Sequence, residues 1–383
     1  SLSDEDVNEL IKGLGIDQAR LAMKLIQDFK EAKMYGSLIK LEDVDYSFLR
    51  KRVEEMEVND IFSQGMKERL LEVIKDILEI SDILKKKYDI VITNPPYMGK
   101  KYINRRLKAF LEKEYPKGKA DTFTAFIFRT SEFAKPDGKI GMMTPFVWLF
   151  IQSYEDLRKW IITQKTIESL IQLEYSGFAE ATVPVCTFTF SNRREEIPGV
   201  YIRLSDFPGP ENQPIKALEA IENPSVYYRY ETNSEKFTKI PGWPIAYWVS
   251  DRMIRAFEIG TPLGEIAQPK QGLATANNDR FLRLWHEVDI NRIGFGMKSR
   301  EEALRFGKKW FPYNKGGKYR KWYGNHEYVV NWENDGEEIK RYVVERYPYL
   351  NGKYEWVVKN MDYYFREGIT WTRISSSKFG VRY

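Results

Sequence analysis

Apolar residues recur at helical spacing through residues 3–36: Leu10, Ile11 and Leu14, then Leu21, Ala22, Leu25, Ile26 and Phe29. The same period returns over 62–86 with Leu70, Leu71, Ile74, Ile77, Leu78, Ile83 and Leu84. The pattern then changes. YDIVITN (88–94) is a short apolar run that reads as a buried strand. Residues 121–135 return to helical spacing through Phe123, Phe126, Ile127 and Thr130. PDGK reads as a turn, KIGMMTP as a second buried strand, and SYEDLRKWIITQ as a helix with Ser153 as N-cap. TIESLIQLEY and TVPVCTFTFS read as two further strands with only SGFAEA between them. Alternating strands and helices imply a parallel sheet with covering helices. The last two strands, so closely joined, suit an antiparallel pair. From about residue 200, Pro and Gly become frequent and aromatics dense, as in DFPGPENQP and IPGWP. A domain boundary is expected between 195 and 240, with an α+β domain after it.

Composition narrows the possibilities. No run of about 18 apolar residues exists to span a bilayer. The acidic start SLSDEDVNELIKG has no apolar core of a signal peptide. One cysteine, Cys186, excludes an internal disulfide and fits a cytoplasmic protein. One cysteine and two histidines supply poorly a His/Cys zinc site, so no metal is expected. The net charge is only +5, but basic residues cluster. GKKYINRRLKAFLEKEYPKGK carries eight Lys or Arg against two Glu, and KSREEALRFGKKWFPYNKGGKYRKWYG mixes Lys and Arg with Trp and Tyr. Cations meet phosphates and flat rings meet bases, so both stretches are candidate nucleic-acid surfaces. A plain solvated face is the alternative for either one. The candidate contacts are Lys100, Lys101, Arg105, Arg106, Lys315, Lys318, Arg320 and Lys321.

The chemistry-bearing feature is Asn94-Pro95-Pro96-Tyr97, directly after the first strand. An exocyclic amine on an aromatic base is a poor nucleophile because its lone pair is delocalised into the ring. Two acceptors facing its two N–H bonds would draw the nitrogen towards tetrahedral geometry. The Asn94 side-chain oxygen can be one acceptor, and a carbonyl held at a fixed angle by the prolines can be the other. Tyr97 can stack on a base swung out of a duplex. Catalysis would then be orientation and electrostatics rather than general-base chemistry. Adenine in DNA, adenine in RNA and a protein glutamine all present such a planar amine.

The motif resembles that of S-adenosylmethionine-dependent amino-methyltransferases. Most of the chain resembles the adenine-specific DNA methyltransferases of BREX phage-defence systems, the PglX family, related to the fused type IIG restriction–modification enzymes. The resemblance is carried by YDIVITNPPYMG (88–99), KADTFTAFIFR (119–129), GKIGMMTPFVWLF (138–150), SLIQLEYSGFAEATVPVCTFTF (169–190), GLATANNDRFLR (272–283) and KWFPYNKGGKYRKWYGN (309–325), among others. It implies a partial Rossmann-like methyltransferase sheet with N-terminal helices, plus an α+β target-recognition domain. The divisions would be a helical segment over 1–87, the catalytic half-sheet over 88–200, and the recognition domain over 201–383. The implied activity is transfer of methyl from S-adenosylmethionine to N6 of a flipped adenine in double-stranded DNA. Other subunits of a defence or restriction system are possible partners. The family's second acceptor is the carbonyl of the residue after the Asn, here Pro95. Asp121 and Phe123 would sit by the nucleoside part of the cofactor, and Thr144-Pro145 at the tip of the next strand. An N-cap for Asp121, a core place for Phe123 and a strand stop for Thr144-Pro145 are the plain alternatives. GLATANNDRF departs from the family pattern where Ala276 replaces a glycine.

One part of such an enzyme is not found. The cofactor's glycine-rich loop should follow a first strand, but KGLGID (12–17) follows a helical pattern and reads as a helix end. The chain is therefore expected to be a fragment with an incomplete cofactor pocket. The N-terminal helices or a second copy are expected to cover the open edge of its half-sheet. A non-catalytic DNA-recognition module is the alternative for the chain as it stands. A protein-glutamine methyltransferase is another, disfavoured by the long basic, aromatic region after the sheet. Glu31-Ala32-Lys33 and Glu338-Ile339-Lys340 lack the preceding Pro-Asp of a nuclease and read as helix-surface charge.

Overall fold

The computed structural model describes residues 2–99, 102–178, 183–372 and 378–383. The chain divides into two compact units, 1–260 and 261–383.

The first unit opens with five helices: α1 (Asp4–Ile11), α2 (Ile16–Lys30), α3 (Ala32–Tyr35), α4 (Phe48–Glu54) and α5 (Ile61–Lys85). The single helical pattern over 3–36 is broken by Gly13, whose positive φ lets the chain turn after α1. KGLGID is thus a helix end. Asp60 caps α5 through the Ser63 amide, and Met66, Leu70, Ile74, Ile77 and Leu84 form its buried stripe. Leu70 and Ile74 join Leu10, Ala22, Leu25, Leu49 and Val53 in a core belonging to these helices. Arg129 ties this segment to the rest of the unit. Its guanidinium donates to the carbonyls of Ser37 and Ile39 at 2.8 and 2.6 Å.

A six-stranded sheet follows: β1 (Tyr88–Thr93), β2 (Ala134–Pro145), β3 (Thr166–Gln172), β4 (Val185–Ser191), β5 (Gly199–Arg203) and β6 (Arg229–Thr232). The spatial order is β1-β2-β4-β3-β5-β6. β1 pairs parallel with β2, and β3 with β5, while β4 runs antiparallel to both β2 and β3. The antiparallel pair expected from the short connector is therefore present, with β4 inserted between β2 and β3. Pairing passes from Tyr88↔Ala134 to Ile90↔Lys139, so residues 135–138 bulge out of the ladder, where a PDGK turn was expected. Helices α6 (Arg105–Glu114) and α7 (Thr122–Phe133) connect β1 to β2, and α8 (Glu155–Gln164) lies between β2 and β3. Ser153 is not the N-cap of α8. It lies in a 3₁₀ turn, and Tyr154 takes the cap position with no side-chain bond.

The sheet extends further along the chain than the texture of the sequence suggests. β5 and β6 belong to it, as do α9 (Asn212–Glu222) and α10 (Asp251–Ile259) to the same unit. The buried Arg158 shows why. Its guanidinium donates to the carbonyls of Gly242, Trp243, Trp148 and Ile151 at 2.7–3.1 Å. Ile245 and Tyr247 complete the core over Phe188 and Tyr201. Residues 237–247, part of the Pro- and Gly-rich stretch, thus form a strap held by Arg158, and the boundary expected between 195 and 240 falls at Gly260.

β1 is an edge strand, and Ile90 and Ile92 on it are 64 % and 78 % exposed. The N-terminal helices form a core of their own and leave the Ile90 and Ile92 side chains open to solvent.

The second unit holds the short helices α11 (Leu263–Ile266) and α12 (Asn278–Phe281), then α13 (Arg300–Phe306) and α14 (Glu333–Arg346). Its strands are β7 (Leu282–Leu284), β8 (Trp310–Tyr313) and β9 (Tyr328–Asn331) in the order β7-β9-β8, and the pair β10 (Thr370–Trp371) and β11 (Val381–Arg382). Phe281, Phe311, Val330, Trp332, Ile339 and Val343 make its core. No helix among the described residues is long and apolar enough to cross a membrane.

Candidate active site

β1 ends at Thr93, and Asn94-Pro95-Pro96-Tyr97 forms the loop at its C-terminal end. Ligand sites of open α/β sheets collect at such strand ends. Asn94 and Pro96 are exposed and Pro95 is buried. Among the described residues no hydrogen bond reaches the Pro95 carbonyl.

The N-terminus of α7 holds the loop from behind. Asp121 is the N-cap and accepts the Phe123 amide at 3.3 Å and the Met98 amide at 2.9 Å. Thr122 Oγ1 donates to the Pro96 carbonyl at 2.6 Å and accepts the Met98 N–H at 3.0 Å. Burial pushes the Asp121 carboxyl up, with the Met98 and Phe123 amides partly offsetting it. Asp121 therefore serves the helix and the loop, in line with the plain N-cap alternative. Phe123 is fully buried and meets the Tyr97 ring edge-on at 6.4 Å. The Met98 and Phe123 amides both bond Asp121 Oδ1, no hydrogen bond among the described residues reaches its Oδ2, and the Phe123 ring is closed off from solvent.

Tyr97 is placed differently from the stacking role alone. Its hydroxyl donates to Asn94 Oδ1 at 2.7 Å and lies 3.2 Å from the Met143 carbonyl on β2. Burial raises its pKa, so it remains a donor across the neutral range. The amide oxygen that would receive an amine is thus already occupied by the tyrosine.

Thr144 is buried, and its hydroxyl accepts the Trp148 indole N–H at 3.1 Å, so it ends β2 internally. Cys186 is fully buried and its thiol is pushed up to about 12, which removes thiolate chemistry.

Of the candidate phosphate contacts, Lys100 and Lys101 lie outside the described residues. Arg105 is exposed, and Arg106 is paired with Glu31 at 2.7 Å. In the second unit Lys318, Arg320 and Lys321 are exposed beside Tyr319, Trp322 and Tyr323. Lys315 lies half-buried over the Tyr328 ring. Glu338 pairs with Arg280, and Lys340 with Asp335. Both of these fit structural charge.

Thr122 was not singled out from the sequence. Its only signal there is its place directly after a capping residue. The contact to Pro96, 26 positions away, exists only in the fold.

Comparison with known proteins agrees with the resemblance read from the sequence. Residues 14–178 match the Eco57I restriction-modification methylase family. The chain is 34 % identical to an adenine-specific methyltransferase PglX of Lacticaseibacillus casei, over 100 % of this chain and 32 % of that protein. It is 35 % identical to an adenine-specific methyltransferase BrxX of Escherichia coli, over 95 % of this chain and 28 % of that protein. The chain thus spans about a third of the length of these relatives. Among solved structures, a type I restriction-modification methyltransferase subunit from Streptococcus thermophilus is similar, with 17 % identity and a TM-score of 0.34. That match covers 42 % of this chain and 38 % of the other.

Proposed function

We propose, on the premise of this likeness to Eco57I-type and PglX methylases, that the chain carries the base-holding part of an adenine-specific DNA N6-methyltransferase. The observation that carries the reading is the loop at the end of β1. It places an asparagine amide oxygen one residue before the carbonyl of a buried proline, and no hydrogen bond among the described residues reaches that carbonyl. Each oxygen would accept one N–H of the adenine amine, turning its lone pair out of conjugation and towards the methyl donor. The Tyr97 ring would stack on the flipped base once its hydroxyl releases Asn94. The methyl group would come from S-adenosylmethionine. The chain's residues fit the acceptor base better than this donor. Asp121 gives one carboxylate oxygen to the α7 cap, Phe123 has no exposed surface, and these residues hold no glycine-rich loop before β1. We therefore place most of the donor pocket outside these 383 residues.

Double-stranded DNA would be gripped by the exposed Lys318, Arg320 and Lys321 with Tyr319, Trp322 and Tyr323, the arrangement that also supports a DNA-recognition role for the chain by itself. The domain roles follow: a helical segment at the N-terminus, the base-holding sheet, and target recognition by the second unit. The test is transfer of labelled methyl to N6 of adenine in unmethylated duplex DNA by the intact protein. Asn94→Ala should reduce kcat by at least about 100-fold, as loss of a preorganised polar group at the reacting atom does. Transfer that survives the substitution would refute the assignment.

A further inference from the structure

We propose that Thr122 is the positioning residue of the amine clamp: its hydroxyl locks the one soft torsion of the Pro95-Pro96 pair in the Asn94–Tyr97 loop. The inference rests on reading that loop as the adenine clamp. Two prolines fix two φ angles, but a carbonyl's direction depends on ψ. Pro95 precedes another proline, so its ψ is confined to the extended range by its neighbour's ring. Its carbonyl is therefore aimed by covalent structure alone. Pro96 precedes Tyr97 and has no such restraint. Left free, its ψ would let the Pro96–Tyr97 peptide rotate. That rotation would carry the Tyr97 ring away and offer a second carbonyl beside the first.

Thr122 closes this freedom with both functions of one hydroxyl. The proton goes to the Pro96 carbonyl at 2.6 Å, and a lone pair takes the Met98 N–H at 3.0 Å. Both ends of the Pro96–Met98 stretch are thereby fixed to one oxygen atom. Thr122 is itself buried, 3 % exposed, at the first position of α7, so its rotamer is held by the helix. The Asp121 carboxylate shares the Met98 amide at 2.9 Å, and the Thr122 amide returns a bond to the Met98 carbonyl. Asp121 can hold Met98 without Thr122. No other group among the described residues bonds the Pro96 carbonyl. The division of labour is therefore specific. The two prolines aim the Pro95 carbonyl, and Thr122 removes the Pro96 carbonyl from competition and places Tyr97.

The experiment compares the intact protein with its Thr122→Val, Thr122→Ala and Thr122→Ser variants. It measures tritiated methyl transfer from S-adenosylmethionine to unmethylated genomic DNA, well below each variant's own thermal midpoint. Thr122→Val keeps the shape and loses both bonds. A misaimed clamp should lower kcat by about 10- to 100-fold. KM for DNA should stay within about twofold, since affinity comes from contacts elsewhere. Thr122→Ser keeps the hydroxyl and should recover most of the rate. Thr122→Ala repeats the contrast if valine does not fold. Val or Ala variants that turn over at the wild-type rate would overturn the proposal. So would a rise in KM with kcat unchanged, or a serine variant as slow as the alanine one. If the wild-type protein transfers no methyl group to adenine, the clamp reading itself fails and this proposal falls with it.

Discussion

At the residue scale, the loop after β1 is held closed by its own tyrosine. The Tyr97 hydroxyl occupies Asn94 Oδ1, the acceptor an adenine amine would need. Opening it breaks one hydrogen bond, which costs about 1 kcal/mol net in contact with water. Tyr97→Phe should therefore leave methyl transfer at or above the wild-type rate, because the ring remains and the acceptor is freed. Tyr97→Ala should weaken binding of the flipped base by about 1–3 kcal/mol, the usual worth of base–aromatic stacking. Methyl-transfer rates check the first and a titration with duplex DNA carrying a fluorescent adenine analogue the second; a Phe variant as slow and as weakly binding as Ala would place the tyrosine's value in its hydroxyl. A second residue shows strain directly. Ala276 stands where the related pattern has glycine, yet it keeps a φ of 59. An L-residue with a β-carbon costs about 1 kcal/mol or more there. Ala276→Gly should stabilise the second unit by about 0.5–1 kcal/mol, visible as an upward shift of its thermal midpoint. An unchanged or lowered midpoint would contradict this.

At the element scale, α14 begins with an irregular turn that organises charge. Asn334, Asp335 and Gly336 all have positive φ, and a β-carbon on Gly336 would lie 2.4 Å from the Trp332 ring. The turn presents Asp335 to Arg300 at 2.9 Å and to Lys340 at 2.7 Å. Burial raises this carboxyl, but the bonds from Arg300 and Lys340 outweigh it and leave its pKa below the ordinary aspartate value. A carboxyl depressed on folding stabilises above its unfolded pKa, and that contribution is lost as pH falls through the folded value. The second unit should therefore lose this share of stability below about pH 4. Asp335→Asn should lower the thermal midpoint at pH 7, and the gap from wild type should close in acid. Melts at pH 7 and in acid check it; a gap that stays constant with pH would remove the ion pairs from the account.

At the scale of the whole molecule, β1 is the outer strand of the sheet, with Ile90 and Ile92 exposed. The Asn94–Tyr97 loop is formed, and the Ile90 and Ile92 side chains on its strand are open to solvent. The chain by itself should bind S-adenosylmethionine weakly or not at all by calorimetry, and micromolar affinity would refute a donor pocket lying outside it. Much of this was legible along the chain. The α5 stripe, the strand ending in Asn-Pro-Pro-Tyr, the helix from Asp121 and the antiparallel strand after a short connector all follow from local periodicity, capping and proline geometry. Such signals are local, so one sequence carries them. The strap over 237–247 did not show itself, because what binds it is Arg158, about 84 residues away, bonding to backbone carbonyls of any sequence. The same holds for the loop. Side-chain identity alone suggested Asn94 as an acceptor for an amine and Tyr97 as a stacking ring. That Tyr97 closes on Asn94, that Asp121 and Phe123 face inward, and that Thr122 holds Pro96 were decided by tertiary structure, since a hydrogen bond depends on where two elements meet and not on either one alone.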